Sequence, residues 1–173
     1  MTIRYVKGDL FDALPVYHGI SLDRKILIPH ICNDIGGWGS GFVVAVSKYC
    51  VGPENDYRNW FKGEPSSHAH ISNKTFGLGE TQLSHCKSAY IANMVAQHKT
   101  ITKGESVPIR YSALVRCMMY VQYKMKQTDV LTAQEIWCPK FGSGLAKGKW
   151  DFIEALIKEI WVDSGIPVTV FEI

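Results

Sequence analysis

The stretch ILIPHICNDIGGWGSGFVVAVSK, residues 26–48, holds most of the residues whose types and spacing could do chemistry. An apolar run at residues 26–28 is typical of a buried strand. His30, Asn33 and Asp34 follow, and glycines then stand at positions 36, 37, 39 and 41. These glycines let the backbone approach a bound group closely. A helix that begins near Ser40 would point its free N–H groups at that group, so the stretch predicts a phosphate or diphosphate site.

A second glycine loop, FGSGL at residues 141–145, follows another short predicted strand and precedes another predicted helix. In a mainly parallel sheet both loops emerge at the carboxyl ends of the strands, where ligands bind in open α/β folds. Two facing loops would form a cleft that holds a diphosphate from both sides. Each loop could also be a turn that merely reverses the chain, and neither GxxxxGK[ST] nor a GxGxxG that opens a first βαβ unit is present.

Asp9 comes directly after the first predicted strand, residues 2–6. Its carboxylate could accept a hydrogen bond from an amino group of a ligand. It could equally cap a turn or a helix, which is the commoner task of aspartate at such a position. The residues themselves leave both interpretations open.

Short apolar or β-prone runs, which are typical of strands, alternate with segments of helical period along the chain. The predicted strands lie at residues 2–6, 26–31, 75–84, 89–95, 135–138 and 167–171. The predicted helices lie at residues 40–49, 54–61, 108–125 and 150–161, and the predicted loops include residues 15–23, 62–73 and 100–107. This alternation predicts an α/β fold, a three-layer α/β/α sandwich with a mixed, mostly parallel central sheet.

The composition excludes several classes of protein. With 173 residues the chain is expected to form a single domain over residues 1–173. A net charge of +3 is too weak to predict binding to duplex nucleic acid, and no apolar run is long enough to predict a membrane span. Five cysteines are scattered without a CxxC pair, so we expect reduced thiols, a cytoplasmic location and no metal site. No cofactor is expected.

The chain resembles the macro domains, which are ADP-ribose-binding α/β/α modules. The resemblance depends on IRYVKGDLFDAL at the start, HICNDIGGWGSGFVVAVSK in the first loop, CPKFGSGLAKGKW in the second loop and IPVTVFEI at the end. Within the family it is greatest to the subgroup of terminal ADP-ribose protein glycohydrolases and yeast-type ADP-ribose 1''-phosphate phosphatases. It implies a macro domain fold, ADP-ribose or a derivative as the ligand, and an ADP-ribosylated protein as a possible partner.

The resemblance also implies roles for individual residues. Asp9 and the backbone of Leu10 would hold the adenine, and Asn33 would contact the distal ribose. The two glycine loops would line the diphosphate and the distal ribose from opposite sides. The ligand-binding residues implied in this way are Asp9, Leu10, Asn33, Trp38, Gly39, Ser40, Gly41, Phe42, Gln97, Phe141, Gly142, Ser143, Gly144 and Leu145.

For catalysis the resemblance favours a phosphatase, whose first loop also has a histidine and an asparagine separated by two residues. His30 could be a general acid or base, or could orient another group, while Asn33 and Asp34 could position water and stabilise charge. His30 could instead be a structural histidine at a strand end, and His98 is a further candidate for the chemistry.

Two positions depart from the glycohydrolases, which use a lysine after the strand at residues 89–95 and an aspartate after the second loop. This chain has Gln97 and Ala146 there, with His98 and Lys99 close by. Glutamine is not a nucleophile and alanine cannot accept a proton, so chemistry through a lysine adduct is not expected. The predicted function is ADP-ribose binding with hydrolysis of a terminal derivative, most of all ADP-ribose 1''-phosphate. The alternatives are a non-catalytic ADP-ribose reader and a protein ADP-ribosyl hydrolase.

Overall fold

A computed structural model describes residues 1–16, 25–66, 69–71, 75–127 and 131–173 of the chain. The predicted site residues all lie within these ranges. Most of the predicted loop at residues 15–23 and part of the loop at residues 62–73 lie outside them.

One mixed sheet organises the described residues, and its strands run in the order β1-β7-β6-β2-β5-β4-β3. The strands are β1 Arg4–Lys7, β2 Ile26–Asn33, β3 Ala69–Ile71, β4 Thr81–Cys86, β5 Ala89–Gln97, β6 Glu135–Pro139 and β7 Val168–Glu172. The pairs from β1 to β5 are parallel, and β4 and β3 add antiparallel strands at one edge. The prediction of a mixed, mostly parallel sheet is confirmed.

Helices cover both faces of this sheet. They are α1 Phe42–Tyr49, α2 Gly52–Lys62, α3 Tyr111–Met125 and α4 Trp150–Leu156, which continues with π-helical geometry over Ile157–Val162. Side chains alternate between the two faces along β2. Ile26 and Ile28 pack with α1 and α2, whereas Leu27 packs with α3 and α4. The three-layer sandwich follows from this alternation.

Three predicted element boundaries were wrong. Residues 69–71 form β3 instead of loop, and residues 75–80 form a loop before β4 instead of its first half. The helix predicted from Pro108 begins at Tyr111, because the chain before it is extended: the Ile109 N–H donates to Ala146 O at 3.0 Å and the Arg110 N–H donates to Ala96 O at 2.8 Å. These tertiary hydrogen bonds leave no trace in a local pattern. Among the described residues no helix is long and apolar enough to cross a membrane.

The face that α3 turns to the sheet gives a first prediction. Leu114 is fully buried on this helix, while Met119 is 55% exposed on its outer side. We expect Leu114→Ala to lower the free energy of unfolding by about 2–5 kcal/mol, because it removes buried methyl groups and leaves a cavity. Met119→Ala, the control on the same helix, should change it by less than about 0.5 kcal/mol. Equal effects in urea titrations would contradict the packing described here.

Candidate functional site

A cleft of about 530 Å³ opens at the carboxyl ends of β2, β5 and β6. Three segments form its walls: the first loop, residues 34–41; the second loop, residues 140–146; and a third wall, residues 100–103. The first two are the glycine loops that the sequence places after strands. The position at the carboxyl ends of parallel strands is the one expected for ligands in an α/β sheet.

The two glycine loops face each other across this cleft. Gly41 has φ 78° and directly precedes α1, and a Cβ atom there would lie 3.2 Å from Cδ1 of Leu145. The backbone therefore turns into α1 in a conformation that disfavours other residues, with the second loop close by. The N–H groups of the first turn of α1 begin at this point, beside the cleft.

Close packing fixes the second loop to the sheet. Gly142 has φ 78°, and a Cβ atom there would lie 2.8 Å from Cδ1 of Ile31. Its carbonyl accepts a hydrogen bond of 2.7 Å from the Gly148 N–H. Gly144, by contrast, has open space around the position of a Cβ atom. Both glycines border the cleft, but the packing beneath the loop requires glycine at position 142, whereas position 144 has room for a side chain.

Asn33 organises the first loop from within. Its Oδ1 accepts hydrogen bonds from the N–H groups of Ile35 and Gly37 at 3.1 and 2.9 Å, and its Nδ2 donates to Gly37 O at 2.7 Å. The Tyr57 hydroxyl donates to the Asn33 carbonyl at 2.6 Å. Asn33 lines the cleft with 9% of its surface exposed. Its side chain thus shapes the loop, and the predicted contact with a ribose remains a prediction.

His30 lies at the base of the cleft but is only 1% exposed. Its Nε2 is 2.7 Å from Asn93 Oδ1, while Asn93 Nδ2 donates to Pro53 O and to Gln82 Oε1. This arrangement orients the Asn93 amide so that its oxygen faces His30, and Nε2 of His30 must then carry the proton. Burial lowers the pKa of His30 to about 4. His30 is therefore neutral at pH 7, and a structural role accounts for all of these contacts.

Asp34 and Gln97 hold the chain that leads to the third wall. Asp34 Oδ2 pairs with His98 Nδ1 at 2.7 Å, and Asp34 Oδ1 accepts the Lys99 N–H at 2.7 Å. The Gln97 side chain donates to the Lys99 carbonyl at 2.9 Å. Lys99 has φ 54°, which a lysine adopts at a cost, and these two side chains fix it from both ends. The cleft-facing surface contains Gln97 but not Asp34.

Trp38 lies beneath the first loop and not on the cleft. It is 5% exposed, its Nε1 donates to Ser47 Oγ at 2.7 Å, and its ring packs against His30 and Tyr57. Trp38 thus occupies a core position, and its predicted contact with the ligand stays a prediction. An aromatic residue among glycines can contact a ligand or can anchor the loop. The sequence pattern is the same in both cases.

The predicted adenine end lies further along the same edge of the sheet. Asp9 is exposed and its Oδ1 accepts the Phe11 N–H at 2.8 Å, so it does cap the turn, while Leu10 is buried. A second cavity beside Gly8 and Glu172 adjoins the cleft, because Pro139 and Lys140 border both. The capping role does not test a contact with adenine, which stays a prediction.

The structure brings together most of the predicted site residues. Those on the cleft are His30, Asn33, Gly39, Ser40, Gly41, Phe42, Gln97, Phe141, Gly142, Gly144 and Leu145. Those away from its surface are Asp9, Leu10, Asp34, Trp38 and Ser143, whose hydroxyl donates to Lys140 O at 2.8 Å.

Sequence reasoning missed the third wall, residues 100–103, and the lysines Lys103 and Lys140 on the cleft. The polar composition of residues 100–107 predicts a loop, and nothing in their local pattern indicates a position near the glycine loops. Within the described ranges, no three His, Cys, Asp or Glu side chains group as metal ligands.

The buried state of His30 gives a second prediction. Its pKa is about 4 in the fold and 6.5 in the unfolded chain, so stability is fully present above pH 6.5 and is lost as the pH falls toward 4. We expect the wild type to lose about 3 kcal/mol more than His30→Gln over that window. Glutamine retains an N–H for Asn93 but does not titrate there. Identical pH profiles in denaturant titrations would show that His30 is not held neutral.

Comparison with known proteins agrees with this geometry. A solved macrodomain protein from Streptomyces coelicolor is 34% identical, with 99% of each chain covered and a TM-score of 0.72. A solved protein of unknown function from Bacteroides thetaiotaomicron is 37% identical, with 100% of this chain and 99% of that chain covered and a TM-score of 0.80.

Among proteins with a named activity, an ADP-ribose 1''-phosphate phosphatase from Lodderomyces elongisporus is 22% identical over 163 residues, which cover 92% of this chain and 93% of that protein. No protein-family model matches the chain. The full-length similarity to the Streptomyces protein, together with a cleft between two glycine loops, establishes that the chain belongs to the macrodomain family.

Proposed function

We propose that this chain binds ADP-ribose in the cleft and hydrolyses the terminal phosphate of ADP-ribose 1''-phosphate. The observation that carries the proposal is the pair of facing glycine loops, in which Gly41 and Leu145 approach each other beside the start of α1. Backbone N–H groups and a helix N-terminus suit the negative charge of a diphosphate. The relative named ADP-ribose 1''-phosphate phosphatase, similar over nearly its whole length, supports the choice of substrate.

The strand order predicts how ADP-ribose would be oriented in the cleft. Asp9 follows β1 at one end of the parallel part of the sheet, and residues 100–103 follow β5 at the other end. The glycine loops after β2 and β6 lie between them. With adenine near Asp9, the diphosphate would lie between the loops and the distal ribose would extend toward the third wall. A binding free energy of about −8 kcal/mol, in the micromolar range, is expected for such a site.

Hydrolysis would require water to attack the phosphorus and the bond to the ribose oxygen to break, which yields ADP-ribose and phosphate. The first loop supplies backbone N–H groups and a helix N-terminus. These groups can stabilise the negative charge that develops in the transition state. In this chemistry His30 and Asn33 would act by keeping that loop in shape. Positioning and electrostatic stabilisation of this kind can leave roughly 10³-fold acceleration over water, so slow turnover is expected.

A second candidate, a reader that binds ADP-ribose without turning it over, is favoured by how the polar side chains are used. His30 pairs with Asn93, Asp34 pairs with His98, and Ala146 stands where the glycohydrolases have a carboxylate. The side chains of His30 and Asp34 therefore already have partners within the protein. The lysine-adduct chemistry of the glycohydrolases would need a lysine and a carboxylate at the positions of Gln97 and Ala146, and the chain has neither there.

The second loop gives a prediction about binding. Gly144→Glu should weaken ADP-ribose binding by about a hundredfold or more, because a carboxylate beside a diphosphate places like charges together. The fold should persist, since a Cβ atom at Gly144 meets open space. Gly77→Glu, which also has open space but lies outside the cleft, is the control for the added charge. If calorimetry shows that Gly144→Glu binds ADP-ribose as tightly as the wild type, the second loop is not part of the binding site.

The substrate gives a further prediction. Purified protein should release inorganic phosphate slowly from ADP-ribose 1''-phosphate, and little or no ADP-ribose from glutamate-linked protein. The phosphate released by Gly144→Glu, purified in the same way, measures the activity of any contaminating phosphatase. Binding of ADP-ribose without phosphate release above this level would favour the reader, whereas efficient release from glutamate-linked protein would favour an ADP-ribosyl hydrolase.

A further inference from the structure

The third wall of the cleft is a tight turn that its own hydrogen bonds hold together. The Lys103 N–H donates to Thr100 O at 2.9 Å, and the Glu105 N–H donates to the same carbonyl at 3.2 Å. The Thr100 and Thr102 hydroxyls lie 3.0 Å apart. Residues 100–103 border the cleft from this turn. The wall is thus an ordered surface of the site.

A strained residue connects this wall to the first loop. Lys99 directly precedes it, and its N–H and carbonyl are fixed by Asp34 and Gln97 at 2.7 and 2.9 Å. Asp34 belongs to the first loop, so the loop and the third wall are joined by one carboxylate. These bonds fix Lys99, and with it the start of the third wall, relative to the first loop.

Several charged side chains around the cleft are paired with other residues that the structure describes. Asp34 pairs with His98, and Glu105 pairs with Arg110 at 2.8 Å, which lowers the pKa of Glu105. Lys140, the other lysine on the cleft, pairs with Glu172 at 2.5 Å. Lys103 makes no ion pair with any residue that the structure describes. It is therefore a cation on the cleft whose charge is left uncompensated there.

We propose that Lys103 is a specificity-determining residue, which favours a ligand with a phosphate on the terminal ribose over ADP-ribose itself. This proposal rests on the proposed function, because the order of strands places the end of the ligand opposite adenine at the third wall. A phosphate there adds up to two negative charges beside an unpaired ammonium group. The remainder of ADP-ribose, held between the glycine loops, does not require Lys103.

The test compares two ligands by calorimetry: ADP-ribose, and the phosphonate analogue of ADP-ribose 1''-phosphate, in which carbon replaces the bridging oxygen and prevents hydrolysis. Wild-type protein should bind the phosphonate more tightly than ADP-ribose. Lys103→Gln should lose about fivefold in affinity for the phosphonate and leave ADP-ribose affinity unchanged, as expected for one partly exposed ion pair. Salt at 0.5 M should reduce the wild-type preference. Lys48→Gln, an exposed lysine on α1 outside the cleft, should change neither affinity.

Asp34 provides a second variant with a different expected signature. Asp34→Ala removes the acceptor of the Lys99 N–H, so the preference for the phosphonate should shrink although Lys103 is intact. Asp34→Asn, which retains an oxygen acceptor, should restore part of it. Both variants change the position of Lys103 and leave its charge intact. Whatever preference for the phosphonate remains in them should therefore still be reduced by salt.

Each outcome bears on one proposal. If Lys103→Gln retains the full preference for the phosphonate, or if the wild type has no preference while it binds ADP-ribose, Lys103 does not determine specificity and the binding proposal stands. If neither ligand binds to the wild type, the proposed function itself fails. Loss of ADP-ribose affinity in Lys103→Gln equal to the loss for the phosphonate would overturn the inference, because Lys103 would then act on the shared part of the ligand.

Discussion

The amide of Asn33 is the contact on which the shape of the first loop depends. It belongs to the last residue of β2, where the backbone leaves the sheet and turns into the first loop. Its oxygen and nitrogen satisfy three backbone groups of the loop, and Tyr57 connects the same residue to α2. A loop rich in glycine has high conformational entropy when unfolded, so it needs such fixed contacts to present its N–H groups in one arrangement. Without them the start of α1 would not face the second loop.

Beneath this loop lies a chain of buried polar side chains that no local pattern explains. His30 bonds to Asn93, Asn93 bonds to Gln82, and Gln82 bonds to the carbonyl of Asp56 on α2. Ser84 adds a hydrogen bond to the Asp56 carboxylate. Buried polar groups are stabilising only when each finds a partner, and a partly satisfied network would be worse than an apolar core. The network therefore fixes how α2 sits on the sheet below the cleft, and it gives the neutral histidine a partner there.

Polar residues at strand ends can bind a ligand or build the scaffold around a site, and several of those described here have scaffold roles. Asp34 and Gln97, which were predicted to act on the ligand, fix the strained Lys99 and with it the third wall. Trp38 fills the core under the loop, where burial of its ring contributes more than a contact in solvent would. The surface of the cleft is left largely to backbone, small side chains and a few exposed residues such as Leu145 and Lys103.

The sequence by itself determined the α/β architecture, the positions of the two glycine loops and their place after strands. Periodicity and glycine content are local properties, and the parallel strand order then requires both loops to meet at one edge. The tertiary structure alone decided which polar residues face the cleft. The side chains of His30 and Asp34 find partners more than sixty positions away, at Asn93 and His98, and such long-range pairing has no local signal. For the same reason the sequence does not indicate that Lys103 lies in the third wall of the cleft. Its position there depends on where the loop after β5 passes the ends of the neighbouring strands.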